Sequence, residues 1–351
     1  MRRKTRAVKI GNVGIGGKAP ISVQSMTKTD TRNVRKTVRQ IHELTEAGCE
    51  IVRVAVPDRE AVKSLGRIKR RVNIPVVADI HFNSKFAIEA IREGVDCIRL
   101  NPGNIYKADE VRRISEEALK KNIPIRVGIN SGSLKWNGRG SVSRAMVISA
   151  MKYTRMLEKF GFKNIIVSLK APDVQETVRA YELMAEKCNY PFHLGITAAG
   201  PVQSGSIKSA VGMGILLSRG IGDTIRVSLT GNPIEEVRVA YEILGSLGLR
   251  EREPVIISCP TCGRCQVNLV KIVRDVGKQL REVYSCERLA GLKIAVMGCP
   301  VNGPGEAKEA DIGVACGKGM GILFRKGKIV KKVSEGRVVH TLISELKALR
   351  R

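Results

Sequence analysis

The regular alternation of short apolar runs with helical stretches constrains the fold of this chain more than any other feature. Between residues 21 and 231, runs rich in valine, isoleucine and leucine are each followed by a polar loop. Eight strands are predicted, at residues 21–26, 51–56, 75–80, 97–100, 125–129, 165–169, 192–196 and 224–229. Eight strand–helix units in about 210 residues match a (β/α)₈ TIM barrel in number and length. A doubly wound open sheet is the alternative, which the eighth unit disfavours.

The glycines between residues 11 and 17 precede the first predicted strand. A dinucleotide-binding loop must lie between a strand and its helix, so these glycines predict a turn or a hairpin instead.

The pattern changes after residues 248–253, a short charged connection. The remainder predicts, in order, a strand at 254–258, a helix at 267–283, a strand at 292–297, a Gly/Pro-rich loop at 302–319, two short strands and a closing helix at 340–349. We therefore expect two domains, a barrel over residues 1–250 and a smaller α+β domain over residues 251–351.

Composition limits the location of the protein and its partners. No apolar run approaches the roughly 20 residues that span a bilayer, and the basic start lacks the apolar centre of a signal peptide, so we expect a cytoplasmic protein and no membrane partner. The formal net charge of +28 is explained equally well by a solvated basic surface and by anionic partners, namely nucleic acid, anionic substrates or an acidic protein. Aromatic residues are only 4%, which leaves little material for stacking bases and makes nucleic acid the less favoured partner.

Charged side chains recur where the barrel strands are predicted to end. Four strands share an arginine between branched apolar residues, as in Ile98-Arg99-Leu100. The candidate substrate-binding residues at these strand ends are Arg53, Asp79, His81, Arg99, Asn101, Arg126, Asn130, Lys170, Arg226 and Ser228, with Ser168 beside them. Buried arginines need counter-charges, and the acids on these strands are too few. Because guanidinium groups match phosphate oxygens, the pattern predicts a phosphate or diphosphate pocket.

Asp79 and His81 are two residues apart on one predicted strand, so their side chains point to the same side. This placement suits substrate hydroxyls or proton transfer, although a hydrogen-bonded structural role for His81 remains the alternative.

Six of the nine cysteines fall within residues 259–316. An odd count without an export signal argues against a disulfide framework. Cys259-Pro-Thr-Cys262-Gly-Arg-Cys265 and the later Cys299-Pro favour an iron–sulfur centre over a zinc ribbon, which needs a second Cys-x-x-Cys pair. Spacing alone selects Cys259, Cys262, Cys265 and Cys299 as ligands.

Six runs carry a resemblance to a known family: 20–27 (PISVQSMT), 78–82 (ADIHF), 99–104 (RLNPGN), 128–134 (GINSGSL), 258–264 (SCPTCGR) and 302–307 (NGPGEA). Over nearly its whole length the chain resembles the bacterial 4-hydroxy-3-methylbut-2-enyl diphosphate synthases of the non-mevalonate isoprenoid pathway. The resemblance implies a two-electron reductive ring opening and dehydration of 2-C-methyl-D-erythritol 2,4-cyclodiphosphate. It also implies flavodoxin or ferredoxin as the electron donor, and a homodimer.

The resemblance further implies a [4Fe–4S] cluster held by three cysteines and a glutamate. Carried to this chain, the ligands are Cys259, Cys262, Cys299 and Glu306, with Cys265 outside the set. A carboxylate is more easily displaced than a thiolate, so it could free one iron for a substrate oxygen.

One position departs from the family pattern. The family reads Thr-Glu-Ala-Gly after the seventh strand, and its glutamate is thought to be the active-site acid, whereas this chain has Ala198 at that position. A methyl group cannot donate a proton, and loss of such an acid costs a factor on the order of 10²–10⁴ in rate. Either the chain is an impaired form of the enzyme or another group takes that role, for which Asp79 and His81 are the nearest candidates.

Two other functions remain open on the sequence. One is a different phosphate-binding barrel enzyme, such as a pterin-ester condensing synthase, with a merely structural metal domain. The other is a basic, RNA-binding metalloprotein.

Overall fold

The computed structural model describes residues 2–134, 138, 140–283, 290–299 and 307–348. The chain divides into two compact units, Met1–Arg250 and Glu251–Arg351.

The first unit is built on an eight-stranded parallel sheet. Its strands are Ser22–Met26 (β3), Ile51–Val56 (β4), Val76–Ile80 (β5), Cys97–Leu100 (β6), Ile125–Asn130 (β7), Ile165–Lys170 (β8), His193–Leu194 (β9) and Thr224–Ile225 (β10). They are hydrogen-bonded in the order β8-β7-β6-β5-β4-β3-β10-β9. A parallel bridge between Val167 and Phe192 joins the two ends of this order. The sheet therefore closes, and the predicted TIM barrel is confirmed.

Strands β9 and β10 are much shorter than the sequence predicts. Their backbones stay adjacent, because Arg226 N–H donates to the Leu194 carbonyl at 3.0 Å. At Gly195, however, an added Cβ would lie 2.5 Å from the Arg226 carbonyl oxygen. The two segments that follow β9 and β10 thus continue side by side after the two paired residues of each strand. Their backbones lie so close together at residue 195 that only glycine fits there.

Helices surround the barrel. They are Val34–Glu46 (α1), Arg59–Lys69 (α2), Ser84–Arg92 (α3), Ala108–Lys120 (α4), Val142–Lys159 (α5), Val174–Ala185 (α6), Val202–Ser218 (α7) and Pro233–Ser246 (α8). Local signals start several of them; the Asp173 carboxylate, for instance, accepts from Glu176 N at 2.7 Å at the start of α6. Helix α1 buries Ile41 and Leu44 of its apolar stripe against the sheet.

The glycine-rich segment before the barrel is an antiparallel hairpin of Val8–Ile10 (β1) and Val13–Ile15 (β2), as predicted. Its side chains cluster with residues from the early part of four barrel strands, namely Ile51, Val77, Cys97 and Ile166. The hairpin therefore plugs the amino-terminal end of the barrel with an apolar layer.

The second unit has a five-stranded sheet. Its strands, in the order in which they pair, are Val255–Ser258 (β11), Lys293–Met297 (β12), Ile312–Gly317 (β13), Met320–Arg325 (β14) and Lys328–Ser334 (β15). The first three are parallel and the last two pair antiparallel. Helices Leu269–Val283 (α9) and Val338–Ala348 (α10) contribute to its core. The unit is α+β, as predicted.

The predicted loop at 302–319 is wrong over Ile312–Gly317, which forms strand β13 in the middle of the sheet. The glycine that suggested a loop has a packing role instead, since a Cβ at Gly313 would lie 2.5 Å from the Phe324 ring. Residues 302–306 of the prediction lie outside the described residues.

Across the ranges that the structure describes, no helix is long and apolar enough to cross a membrane.

Candidate active site

The apolar plug identifies which strand residues point into the barrel. Ile51, Val77, Cys97 and Ile166 contact the hairpin from inside. Because side chains alternate along a strand, residues two positions further on point into the same interior, closer to the carboxyl-terminal mouth. The charged strand residues on this inward register include Arg53, Asp79, Arg99, Arg126, Lys170 and Arg226, and Ser168 lies on it as well. The strands thus bring together most of the residues that the sequence predicted as a site.

Asp79 is the central carboxylate of this interior and is only 4% exposed. Its Oδ1 accepts from Arg99 Nη1 at 3.1 Å, and its Oδ2 lies 3.6 Å from Arg53 Nε. Burial alone would raise the pKa of Asp79, but Arg53 and Arg99 outweigh it and hold that pKa below its usual value. Asp79 is therefore ionised at neutral pH and serves as a counter-ion.

Arg99 is held on its other side by the backbone. Its Nη2 donates to the Gly128 carbonyl at 2.9 Å. A Cβ at residue 128 would lie 2.4 Å from Arg99 Nε, so a glycine is needed for the guanidinium to lie flat against β7.

Arg126 lies deeper and is completely buried. Within the described chain, none of its three guanidinium nitrogens has a hydrogen-bond partner. Burial lowers the pKa of Arg126, with partial compensation from Cys97 and Asp79. A buried cation with unused donors is costly, which indicates that an anion or ordered water belongs beside it.

A second carboxylate, Glu236 of α8, contacts the cation cluster at Arg226 and is only 1% exposed. It lies 3.5 Å from Arg226 Nη2 and 3.3 Å from Lys28 Nζ, and it accepts from Ser25 Oγ at 3.1 Å. Sequence reasoning missed it, because an acidic residue in the first turn of a helix is ordinarily explained by the helix dipole.

Lys170 ends β8 inside the cation cluster and is 6% exposed. Burial, followed by the repulsion of Arg53 and Arg226, lowers the pKa of Lys170 well below its ordinary value. A Cβ at Gly195 would lie 2.7 Å from Lys170 Nζ, so this glycine makes room for the amine. Together with the four arginines, Lys170 gives the interior more cations than its two carboxylates can neutralise.

His193 is a further buried residue of this interior that the sequence did not suggest. Its Nδ1 lies 3.4 Å from Thr224 Oγ1, and Nε2 has no partner in the described chain. Burial and the neighbouring Arg126 and Lys170 lower its pKa well below the ordinary value, so the ring is neutral.

The remaining candidates lie at the rim of the mouth. His81, Asn130 and Ser228 are half-buried there, while Asn101 is buried. Asn101 donates to Ser133 Oγ at 2.8 Å and accepts from Gly103 N at 3.0 Å, so it shapes the loop after β6.

Ala198 is exposed beyond β9 and has a φ of +49°. Outside glycine, this left-handed conformation is uncommon and costs free energy, and such strained residues cluster at functional sites as well as in turns.

In the second unit, three cysteines gather around Gly298, the residue before Cys299. Gly298 N–H donates to Cys259 Sγ at 3.2 Å, and a Cβ at Gly298 would lie 2.6 Å from Cys265 Sγ. Cys262 is exposed, and Glu306 lies outside the described residues. Among the residues described, no three potential ligands converge as they would on one metal ion. Each ligand of a multi-iron cluster binds a different iron atom, so the ligand atoms need not converge on one point. Thiols around Gly298, where no side chain fills the space, therefore fit such a group.

The fold and site define a class: TIM barrels with a strongly cationic interior, followed by a cysteine-bearing α+β unit. Two family models match this chain, the GcpE TIM-barrel domain over residues 5–241 and the GcpE protein C-terminal domain over residues 255–348. The chain therefore belongs to the GcpE family.

Curated relatives match over nearly the full length. A Thermodesulfovibrio yellowstonii protein is 55% identical over 99% of both chains, and a Geobacter sulfurreducens protein is 52% identical over the same shares. Both are named 4-hydroxy-3-methylbut-2-en-1-yl diphosphate synthase (flavodoxin).

Two solved structures are similar to this chain over 70% of its length. Dihydropteroate synthase from Stenotrophomonas maltophilia has a TM-score of 0.55 at 13% identity, covering 70% of this chain and 98% of its own. The 3-dehydroquinate dehydratase from Geobacillus kaustophilus has a TM-score of 0.51 at 15% identity, covering 70% of this chain and 99% of its own. At such identities the likeness extends to the fold only.

Proposed function

We propose that this chain catalyses the reductive ring opening and dehydration of 2-C-methyl-D-erythritol 2,4-cyclodiphosphate to 4-hydroxy-3-methylbut-2-enyl diphosphate. The names of the full-length relatives support this reaction. The observation that carries it in the structure is the barrel interior, where four arginines and Lys170 exceed the charge of Asp79 and Glu236.

The cationic interior would bind the diphosphate. Arg126, with its unused donors, and Lys170 are the groups best placed to donate hydrogen bonds to phosphate oxygens, while Asp79 keeps Arg53 and Arg99 in position. Opening the cyclic diphosphate creates a terminal phosphate with additional negative charge. A fixed excess of cations therefore stabilises the transition state more than the substrate.

Proton transfer needs a different assignment from the one that the family suggests. Ala198 has no acidic group, and the ionised state of Asp79 makes it a poor proton donor at neutral pH. Of the two candidates, we therefore assign proton donation to His81 at the rim.

The electrons would come through a [4Fe–4S] cluster in the second unit, held by Cys259, Cys262, Cys299 and Glu306. When bound, such a cluster supplies single electrons and an iron that can bind an oxygen atom. The thiols near Gly298 support this assignment. Flavodoxin or ferredoxin would be the donor, which the relatives' names and the excess positive charge favour. A cytoplasmic homodimer is proposed from the family resemblance.

The test is turnover of the cyclodiphosphate by anaerobically reconstituted protein with a chemical reductant, beside Ala198→Glu. Ready turnover by the natural chain establishes the function and shows that a side-chain acid at 198 is dispensable. If only Ala198→Glu turns over, the natural chain has an intact substrate and cluster site but lacks the acid that the reaction needs. If neither protein turns over and neither binds iron and labile sulfide, the reaction proposed here is wrong, and a barrel synthase with a structural metal becomes the better explanation.

A further inference from the structure

Lys28 lies at the mouth of the barrel, two residues beyond the end of β3, and has no part in the function proposed above. Its ammonium group donates to the Leu229 carbonyl at 2.8 Å and to the Gly231 carbonyl, and it lies 3.3 Å from Glu236 Oε1. Because a lysine has three N–H donors, these acceptors use all of them. Lys28 therefore has no donor left for a ligand.

Glu236 divides its two oxygen atoms between two cations. Its Oε1 faces Lys28 and also accepts from Leu229 N at 3.1 Å. Its Oε2 accepts from Ser25 Oγ at 3.1 Å and lies 3.5 Å from Arg226 Nη2. The residue is only 1% exposed, so water hardly screens its charge. Lys28 and Arg226 thus share one buried carboxylate.

Arg226 is the weaker partner of this carboxylate. The 3.5 Å between its Nη2 and Glu236 Oε2 is longer than the roughly 2.7–2.9 Å of a charge-assisted hydrogen bond. Arg226 Nε is buried and has no hydrogen-bond partner within the described chain. The backbone at this position is fixed, since Arg226 N–H donates to the Leu194 carbonyl at 3.0 Å. The guanidinium group thus keeps donors for a ligand while its strand stays in place.

We propose that Lys28 is a positioning residue, which neutralises Glu236 and so keeps Arg226 available to the diphosphate. Without Lys28, the carboxylate would be a buried charge with Arg226 as its remaining ion-pair partner in the described structure. Because an uncompensated buried charge is costly, Glu236 would then draw Arg226 towards itself and repel an incoming anion. The inference rests on the proposed function, because it takes a diphosphate as the ligand of the barrel interior.

The experiment measures binding of inorganic pyrophosphate to the full-length protein by titration calorimetry. The natural chain is compared with Lys28→Met, Glu236→Gln and the double variant. Lys69→Met is the matched control, because Lys69 is 29% exposed against 34% for Lys28 and also pairs with a carboxylate, Asp96 at 2.6 Å. Lys69 ends α2 and Asp96 precedes β6, so this pair lies at the opposite end of the barrel. Thermal unfolding checks that each variant is folded.

Lys28→Met should weaken pyrophosphate binding about tenfold, which lies within the coupling found in one ion-pair network, whereas Lys69→Met should leave binding unchanged. In the Glu236→Gln background, Lys28→Met should weaken binding less than about twofold, because no carboxylate is left to compete for Arg226. A merely structural role would lower the melting temperature without this dependence on Glu236. Natural affinity in Lys28→Met, or the same loss in both backgrounds, would overturn the proposal.

A crystal structure of Lys28→Met gives a second measurement, which needs no variant of Glu236. Arg226 Nη2 should lie closer to Glu236 Oε2 than the present 3.5 Å, and an unchanged position of Arg226 would contradict the proposal. The two possible failures can be told apart. If the natural chain does not bind pyrophosphate, the diphosphate pocket of the proposed function is wrong too, whereas equal binding by the natural chain and Lys28→Met refutes only the role of Lys28.

Discussion

Replacement of Asp79 by asparagine should destabilise the barrel and tighten its hold on phosphate anions at the same time. Asp79 is the shared counter-ion of Arg53 and Arg99, at 3.6 and 3.1 Å, and all three side chains are largely buried. Removing one partner of a buried ion pair costs about 3–5 kcal/mol, and an isosteric amide belongs at the lower end. For a unit of this size, a loss of about 3 kcal/mol lowers the melting temperature by roughly 6–12 °C.

The assay is thermal unfolding of the metal-free protein, with and without inorganic pyrophosphate. Asp109→Asn, at an exposed position in the first turn of α4, is the control and should melt close to the natural chain. Pyrophosphate should raise the melting temperature of Asp79→Asn by more than it raises that of the natural chain, because the variant leaves two arginines without their carboxylate. Equal melting temperatures, or a smaller pyrophosphate effect in the variant, would refute the counter-ion role.

The stabilisation of the fold by Asp79 should also depend on pH. The pKa of Asp79 is lowered in the folded state, so its stabilisation is complete above the unfolded pKa of about 3.9 and is lost as the pH falls through the lower folded value. The stability difference between Asp79→Asn and the natural chain should therefore be constant near neutral pH and shrink only in strong acid.

Three further results are expected. Gly195→Ala should weaken pyrophosphate binding by about tenfold or more, because the new Cβ would lie 2.5 Å from the Arg226 carbonyl oxygen and 2.7 Å from Lys170 Nζ and would displace both residues. Gly214→Ala in α7, where nothing lies within 4 Å, should leave binding unchanged in the same titration. A bound pyrophosphate should raise the lowered pKa of Lys170, so calorimetry in buffers of different ionisation enthalpy should show more proton uptake on binding by the natural chain than by Lys170→Met. Reduction by flavodoxin should slow steeply as ionic strength rises, given the net charge of +28, and a salt-independent rate would contradict docking by charge.

The barrel could be predicted because each strand–helix unit has a recognisable local sequence pattern, and this pattern repeats eight times. Eight apolar runs, each followed by a polar loop, allow few other folds, and branched residues around each arginine marked the inward positions. The lengths of β9 and β10 were not predictable in this way. They depend on the contact of Gly195 with the Arg226 carbonyl. This contact forms only when the closed sheet brings two distant segments of the chain together.

The site was partly predictable for the same reason. Arg53, Arg99 and Arg126 were visible as charges in apolar strands, but Glu236 was not, because its helix reaches the interior only through tertiary packing. His193 carried no signal, since one histidine in an apolar run is ordinarily structural. In the second unit, Gly313 was misread because close packing against Phe324 cannot be seen in a sequence.

The hairpin of β1 and β2 covers the amino-terminal end of the barrel interior with apolar side chains. Among the described residues, its apolar layer against Ile51, Val77, Cys97 and Ile166 blocks that end, so we expect whatever enters between the arginines to leave again by the carboxyl-terminal mouth. Capture of a new substrate must then wait for departure of the old product. Because the product of ring opening carries more negative charge than the substrate, it is also the species that these cations retain more strongly. In an enzyme arranged in this way, release is the step that we expect to limit turnover once electrons are plentiful, and inorganic pyrophosphate should inhibit by competing for the same opening.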